Sequence, residues 1–192
     1  MTSPAAAPVL PERSPWDGAR VSFEEFERLP EEKPYLEYFG GHVVQKPMPK
    51  RPHGKGQAFF VIRLNAYARA AGGAAWAEAA VTFEFNDGRG TRVPDVAYWG
   101  PSKPQGDDDR SLPPTLAIEI RSADQAPSVL FAKCRMMRAH GVDVCWLFDP
   151  VARHAFIFEA GGDGDEFRGA TLTSAFLPGF QFDLAELWGA VS

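Results

Sequence analysis

Val93-Pro94-Asp95-Val96-Ala97-Tyr98-Trp99, then Leu116-Ala117-Ile118-Glu119-Ile120-Arg121, then Lys133 in the segment opened by Pro127: the reading of this stretch decides the fold. Each of the two apolar runs carries one carboxylate where a packed sheet favours an apolar residue, and a lysine follows on the next element. Side chains alternate along a strand, so a strand from Val93 to Trp99 puts Asp95, Ala97 and Trp99 on one face and Val96 and Tyr98 on the other. Pro94 has no N–H and belongs at the strand entrance or on an edge. In the second run Leu116, Ile118 and Ile120 face one side, while Ala117, Glu119 and Arg121 face the other. If the two strands are neighbours, Asp95 and Glu119 point into one cavity beside small alanines. Like charges brought that close need a cation. With no His/Cys cluster to suit zinc, a hard divalent ion with oxygen ligands fits the pair. An ordinary strand acid beside a partner such as Arg121 is the competing reading for either carboxylate alone.

Downstream, Pro127 to His140 has helical spacing, with Leu130, Phe131, Cys134 and Met137 on one face and Gly141 as the stop. Lys133 flanks that face. Its stem either snorkels to solvent or carries the ammonium to the sheet. Val142 to Phe148 reads as a buried strand, Asp149-Pro150 as a turn, and His154 to Phe158 as a returning strand. A strand near Thr171 and a terminal helix capped by Asp183 close the chain. Strand, helix, strand and meander predict a mixed α/β fold.

Upstream, Ser22-Phe23-Glu24-Glu25 has the form of a capping box, and Pro30 stops the short helix it opens. Leu36 to Val44 predicts a hairpin turning at Gly40-Gly41. Glu37 lies on its first strand between Leu36 and Tyr38, where the ordinary reading is a solvent-facing residue. From Tyr38 to Ala77 there is no Asp or Glu, and Lys46, Lys50, Arg51, Lys55, Arg63 and Arg69 fall there with His42 and His53. That strip is either phosphate-facing or a solvated face. Lys46 to Pro52 reads as loop, Gly56 to Ala71 as helix ended by Gly72-Gly73, Val81 to Phe85 as strand and Asn86 to Gly90 as turn. In the loop Gly100 to Pro114, Asp107-Asp108-Asp109 reads as solvated rather than metal-binding.

The chain has 192 residues, 45% hydrophobic and 12% aromatic, which suits one domain over residues 21–192 behind a proline-rich, flexible tail over residues 1–20. Order is expected from about Ser22. A net charge of −5 and a pI near 5.4 exclude a basic nucleic-acid coat. No apolar run approaches the ~20 residues of a membrane helix, so no membrane partner is expected, and no secretory signal opens the chain. Cys134 and Cys145 lie among apolar residues and read as buried free thiols, which fits a reducing cytoplasm.

In order along the chain stand Phe23-Glu24-Glu25-Phe26, Tyr35-Leu36-Glu37 before a glycine turn, and His53 before a long helix. Val93-Pro94-Asp95-Val96-Ala97, Ala117-Ile118-Glu119-Ile120-Arg121-Ser122, Lys133, Val144-Cys145-Trp146-Leu147-Phe148-Asp149-Pro150 and Leu177-Pro178-Gly179-Phe180 follow. This series resembles the PD-(D/E)xK nuclease superfamily and, more closely, its Uma-two family of restriction-endonuclease-like proteins, from about Val21 to Leu187. The resemblance implies a restriction-endonuclease-like core, a mixed central sheet flanked by helices. It implies that the lysine usually found two residues after the strand Glu, where Arg121 stands, has moved to the helix as Lys133. The carry-over makes Glu37, Asp95, Glu119 and Lys133 catalytic, with Asp95, Glu119 and Glu37 as ligands of Mg²⁺ or Mn²⁺. Arg121, His53, Lys50, Arg51 and Lys55 are the expected phosphate and DNA contacts. The implied activity is metal-dependent endonucleolytic hydrolysis of DNA leaving a 5′-phosphate, and the reading admits a homodimer. Gly40 where an Asp is common, Ser122-Ala123-Asp124 for Ser-Pro-Ser, and Met137 for a helix Tyr depart from the family pattern. Two other classes compete: a catalytically inactive nuclease fold that binds nucleic acid or protein, and a carboxylate-pair glycosidase, which would need a sugar platform and no metal.

Overall fold

The computed structural model describes residues 13–103, 110–159 and 162–192. Its elements run α1 (Phe23–Phe26), β1 (Leu36–Phe39), β2 (His42–Gln45), α2 (Arg51–Ala71), β3 (Ala74–Ala77), β4 (Val81–Phe85), β5 (Gly88–Arg92), β6 (Val96–Trp99) and β7 (Leu116–Ile120). They continue with α3 (Pro127–Ala139), β8 (Val144–Asp149), β9 (His154–Phe158), β10 (Asp165–Phe167), β11 (Thr171–Thr173), β12 (Gln181–Asp183) and α4 (Leu184–Val191).

The central sheet has the order β10-β9-β8-β7-β6-β3. β7 and β8 pair in parallel across the α3 crossover, and the other ladders are antiparallel. The sheet is therefore mixed, and helices cover both faces, as the family resemblance implies. On one face Phe60 and Leu64 of α2 and Leu187 of α4 pack against Val96, Tyr98, Leu116, Ile118, Ile120, Trp146 and Phe148. On the other, Leu130, Cys134 and Met137 of α3 pack against Ala97, Ala117, Cys145 and Leu147. Successive residues of β7 and β8 face opposite sides, which for β7 is the alternation read from the sequence. Both cysteines are free and buried.

A second sheet, β2-β1-β5-β4, stands beside the first, and the short ladder β11-β12 lies apart. The chain crosses from the second sheet to the central one at Val93-Pro94-Asp95. This corrects the expectation of one strand from Val93 to Trp99: β6 begins only at Val96. The Val93 N–H is captured by the Glu37 carboxylate and Pro94 has none to give, so neither continues the ladder.

Other boundaries shift for local reasons. α2 starts at Arg51, not Gly56, because Pro52 sits in the first turn, where a missing N–H costs nothing. The turn after β4 is Asn86-Asp87, and β5 takes up Gly88 and Gly90. A Cβ at Gly90 would lie 2.7 Å from the Phe85 ring and 2.9 Å from the Tyr38 carbonyl oxygen, so this glycine is what lets β1 close on β5. Strand β3, Ala-Ala-Trp-Ala, has no alternation to read and was not anticipated. Order begins before Ser22: the Gly18 N–H donates to the Val43 carbonyl at 2.9 Å, and the Ser14 N–H to Gln45 Oε1 at 2.8 Å. The capping box at Ser22 is present with both hydrogen bonds. Asp183 occupies the N-cap position of α4 but does not cap it; its carboxylate accepts from the Thr171 hydroxyl instead. The Asp107-Asp108-Asp109 run and most of the N-terminal tail lie outside the described residues.

Candidate active site

The crossover gathers side chains from both sheets and two helices. Glu37 is carried by β1, on the side opposite Leu36 and Tyr38, which pack with Phe23 and Val43. Asp95 stands just ahead of β6, and Glu119 projects from β7 toward the α3 face. β6 and β7 are neighbours in register Val96 to Ile118, so the adjacency on which the sequence argument depended holds. Lys133 comes from the middle of α3. Glu37, Asp95, Glu119 and Lys133 are all buried, Asp95 and Glu119 to 2% exposure.

Lys133 binds the acids together. Its Nζ lies 2.7 Å from Glu37 Oε1 and 2.8 Å from Glu119 Oε1, and it donates to the Val93 carbonyl at 3.1 Å. Glu37 is further satisfied by the Val93 N–H at 2.8 Å and by Arg92 at 3.1 Å. Asp95 Oδ2 accepts the Ile120 N–H at 2.7 Å. Asp95 Oδ1 is paired with Lys46 Nζ at 2.8 Å and His53 Nε2 at 3.3 Å. Lys46 also donates to the Val93 carbonyl, at 2.9 Å, so the two lysines share one acceptor.

The acids differ electrostatically because their partners differ. Burial pushes all three carboxyls up. At Glu37 the Lys133, Arg92 and Lys46 charges outweigh it and hold the group below the usual range. At Asp95 Lys46 and His53 do the same. Glu119 ends raised, to about 7: burial is the largest cause, Lys133 opposes it, and the Asp95 and Glu37 charges add to it. Glu119 Oε1 is charge-paired with Lys133, but the approach makes no directed hydrogen bond, so this buried oxygen is left without one. Burial alone would lower Lys133, but Glu119 and Glu37 raise it, so it is a firm cation.

The expected phosphate contacts divide. His53 is buried in the first turn of α2 and faces Asp95, not the surface. Arg121 is engaged by Asp149 at 2.7 Å and the Gln125 carbonyl at 2.9 Å, so it orders the loop after β7 and makes no pair with Glu119. Lys50 is exposed and lies 3.4 Å from Asp124. Lys55 reaches the Ser192 carbonyl. Arg51 is exposed at the start of α2. Arg63, in the basic strip, pairs with Glu186.

Two residues of this cluster escaped the sequence reading. In the sequence Lys46 is one cation among several of the acid-free strip, and the signal that sets it apart is its place at the exit of the strand paired with the Glu37 strand. Glu78 lies 3.6 Å from Lys46 Nζ, and its N–H donates to the Asp95 carbonyl at 3.1 Å. Nothing in Ala77-Glu78-Ala79 marks it. A cavity of about 610 Å³ borders the cluster at Glu78 and Val93. Its walls carry Glu27, Glu31 and Glu32 against Arg110, a balance that repels phosphate.

Among the described residues, no group of three or more His, Cys, Asp or Glu is placed to hold a metal ion. The donor set still suits a hard cation in part. Glu119 offers a carboxylate oxygen that lacks a hydrogen bond, Asp95 offers Oδ1 only if Lys46 gives it up, and both oxygens of Glu37 are taken by N–H donors and Lys133. No helix among the described residues is long and apolar enough to cross a membrane.

A family model described as "Uma2: Putative restriction endonuclease" matches residues 23–185. Among solved structures, the chain is similar to a "putative nuclease belonging to DUF820" from Anabaena variabilis, with a TM-score of 0.77 at 24% identity over 90% of this chain and 99% of that one. That likeness is one of fold. A DrdV–DNA complex aligns with a TM-score of 0.40 at 15% identity, over 74% of this chain and 11% of the other. No curated protein matches the chain.

Proposed function

The chain belongs to the Uma2 family of restriction-endonuclease-like proteins, and from that premise we propose that it hydrolyses DNA phosphodiester bonds endonucleolytically with Mg²⁺ or Mn²⁺. One observation carries the reading: one buried ammonium, that of Lys133, lies within 2.8 Å of both Glu37 and Glu119, and the strand that bears Glu119 pairs with β6, which Asp95 immediately precedes. Asp95 and Glu119 are the residues that would hold the ion; Glu37 acts through Lys133 instead. When bound, a divalent cation neutralises phosphate charge and lowers the pKa of water.

The chain's own groups supply the rest. Lys133 stays protonated at neutral pH, so it acts as a hydrogen-bond donor to the phosphate or to the attacking water rather than as a base. Glu37, fixed by Arg92 and the Val93 N–H, sets the position of that ammonium. His53 and the Ile120 N–H fix the Asp95 carboxylate. Lys50 and Arg51, exposed at the start of α2 one turn from His53, are the proposed backbone-phosphate contacts, which makes binding salt-dependent and weakly sequence-specific. Lys55 extends this edge.

A second reading has one observation in its favour. Glu37, Asp95 and Glu119 are already balanced by Lys46, Arg92 and Lys133, as in a silent member that only binds nucleic acid or protein. Plasmid cleavage separates the two. With Mg²⁺ or Mn²⁺ the wild type should nick or linearise the plasmid, chelation should stop it, and Asp95→Asn or Lys133→Met should each slow it by about 100-fold or more. Equal cleavage by all three proteins sinks the proposal, and retained DNA binding without cleavage by the wild type favours the silent reading.

A further inference from the structure

Lys46 is the one buried cation of the cluster that the proposed chemistry leaves unused. Its side chain is 9% exposed, and its Nζ is bonded to Asp95 Oδ1 and the Val93 carbonyl. A buried ammonium placed on a carboxylate competes directly with any metal for the same oxygen. Divalent charge added to an already balanced cluster is most favourable if a resident cation withdraws.

A second carboxylate stands ready to receive it. Glu78 Oε1 is 3.6 Å from Lys46 Nζ, its side chain is 22% exposed, and it lines the cavity beside the cluster. Its backbone is unusual. Glu78 has φ +53°, the left-handed region that a non-glycine residue enters only at a cost in backbone strain. In this conformation the Glu78 N–H donates to the Asp95 carbonyl at 3.1 Å while its carboxylate lies beside Lys46.

We infer that Lys46 is a positioning residue that holds Asp95 in the metal-free site and passes to Glu78 when a divalent cation binds Asp95. The inference rests on the proposed metal site. The handover keeps the ammonium paired throughout and leaves it at the cavity side of the cluster. Lys46 therefore sets metal affinity, and Glu78 lowers the cost of loading.

Calorimetric titration with Mn²⁺ tests this on wild type, Lys46→Met, Lys46→Arg, Glu78→Gln and Asp95→Asn. Lys46→Met should bind Mn²⁺ at least about 5-fold tighter than wild type, and Glu78→Gln at least about 3-fold weaker. Lys46→Arg, which keeps the charge, should stay near wild type, and Asp95→Asn should lose the binding. A merely structural lysine would weaken the site when removed. Either Lys46→Met or Glu78→Gln at wild-type affinity, or Lys46→Met binding more weakly, overturns the handover, while Asp95-dependent binding by the wild type leaves the metal site standing. No binding by any of the proteins overturns both. Glu78 is partly exposed, so Glu78→Gln remains a fair test if Lys46→Met fails to fold.

Discussion

Lys133 has Glu37, Glu119 and the Val93 carbonyl within 3.1 Å of its ammonium and almost no contact with solvent. Removing one member of a buried ionic group leaves the others uncompensated, which costs about 3–5 kcal/mol. Lys133→Met keeps the aliphatic stem, so its loss isolates the charge. Urea unfolding should show destabilisation of that order, with part of it recovered in Lys133→Met/Glu119→Gln, where one stranded carboxylate is neutralised. A single-variant effect below about 1 kcal/mol would mean the triad is not coupled to the fold. Asp95, Glu119 and Lys133 were legible in the sequence because each breaks a pattern: an acid in an apolar strand, or a lysine at the edge of an apolar helix face. Lys46 and Glu78 break none. One follows a strand inside a basic strip, where its place at the strand exit is the sole hint, and the other follows an alanine-rich edge, so their pairing with Asp95 and with each other shows only in the structure.

Elements were legible where periodicity or turn chemistry was strong. β7, α3 and β8 stand close to where the alternation and the helical spacing put them. The joints were not legible, because joints depend on what the chain meets in space. Gly72-Gly73 reads only as a helix stop, yet Gly73 is also the point where α2 turns into β3 against the central sheet. Its φ is +87°, and a Cβ there would run into the Trp99 carbonyl oxygen. Gly40, in the β1–β2 turn, has φ +58° with nothing within 4 Å of such a Cβ. Gly73→Ala should therefore lose about 2–4 kcal/mol in chemical denaturation, combining backbone strain with a backbone clash, whereas Gly40→Ala should lose only about 1 kcal/mol. Similar losses in the two would show that β3 yields freely, and the Ala77-Glu78 end it carries to Asp95 would then be loosely held.

At the scale of the whole molecule, an acidic chain concentrates a balanced set of charges in one buried place. The sequence shows the −5 surplus and the basic strip but not this internal neutrality, because it arises between residues as far apart as Glu37 and Lys133. Its consequence is the pH dependence of the metal-free fold. Glu37 and Asp95 are held below their ordinary values of 4.5 and 3.8, so their stabilisation is present above those values and is lost as pH falls through the lower folded ones. Glu119 has the opposite sign. The unfolded chain releases its proton near 4.5 and the folded one near 7, so stability falls as pH rises through that window, by on the order of 3 kcal/mol. Burial lowers His53, but its bond to Asp95 raises it overall, which adds a further decline above 6.5. The metal-free protein should thus be most stable near pH 5 and lose ground toward pH 8. Urea midpoints between pH 2 and pH 8 measure this directly, and Glu119→Gln should flatten the decline between 5 and 7 while leaving the acid-side collapse in place. Parallel profiles for wild type and Glu119→Gln would show that Glu119 is ionised throughout, with Lys133 as an adequate partner despite the unmade hydrogen bond at Oε1.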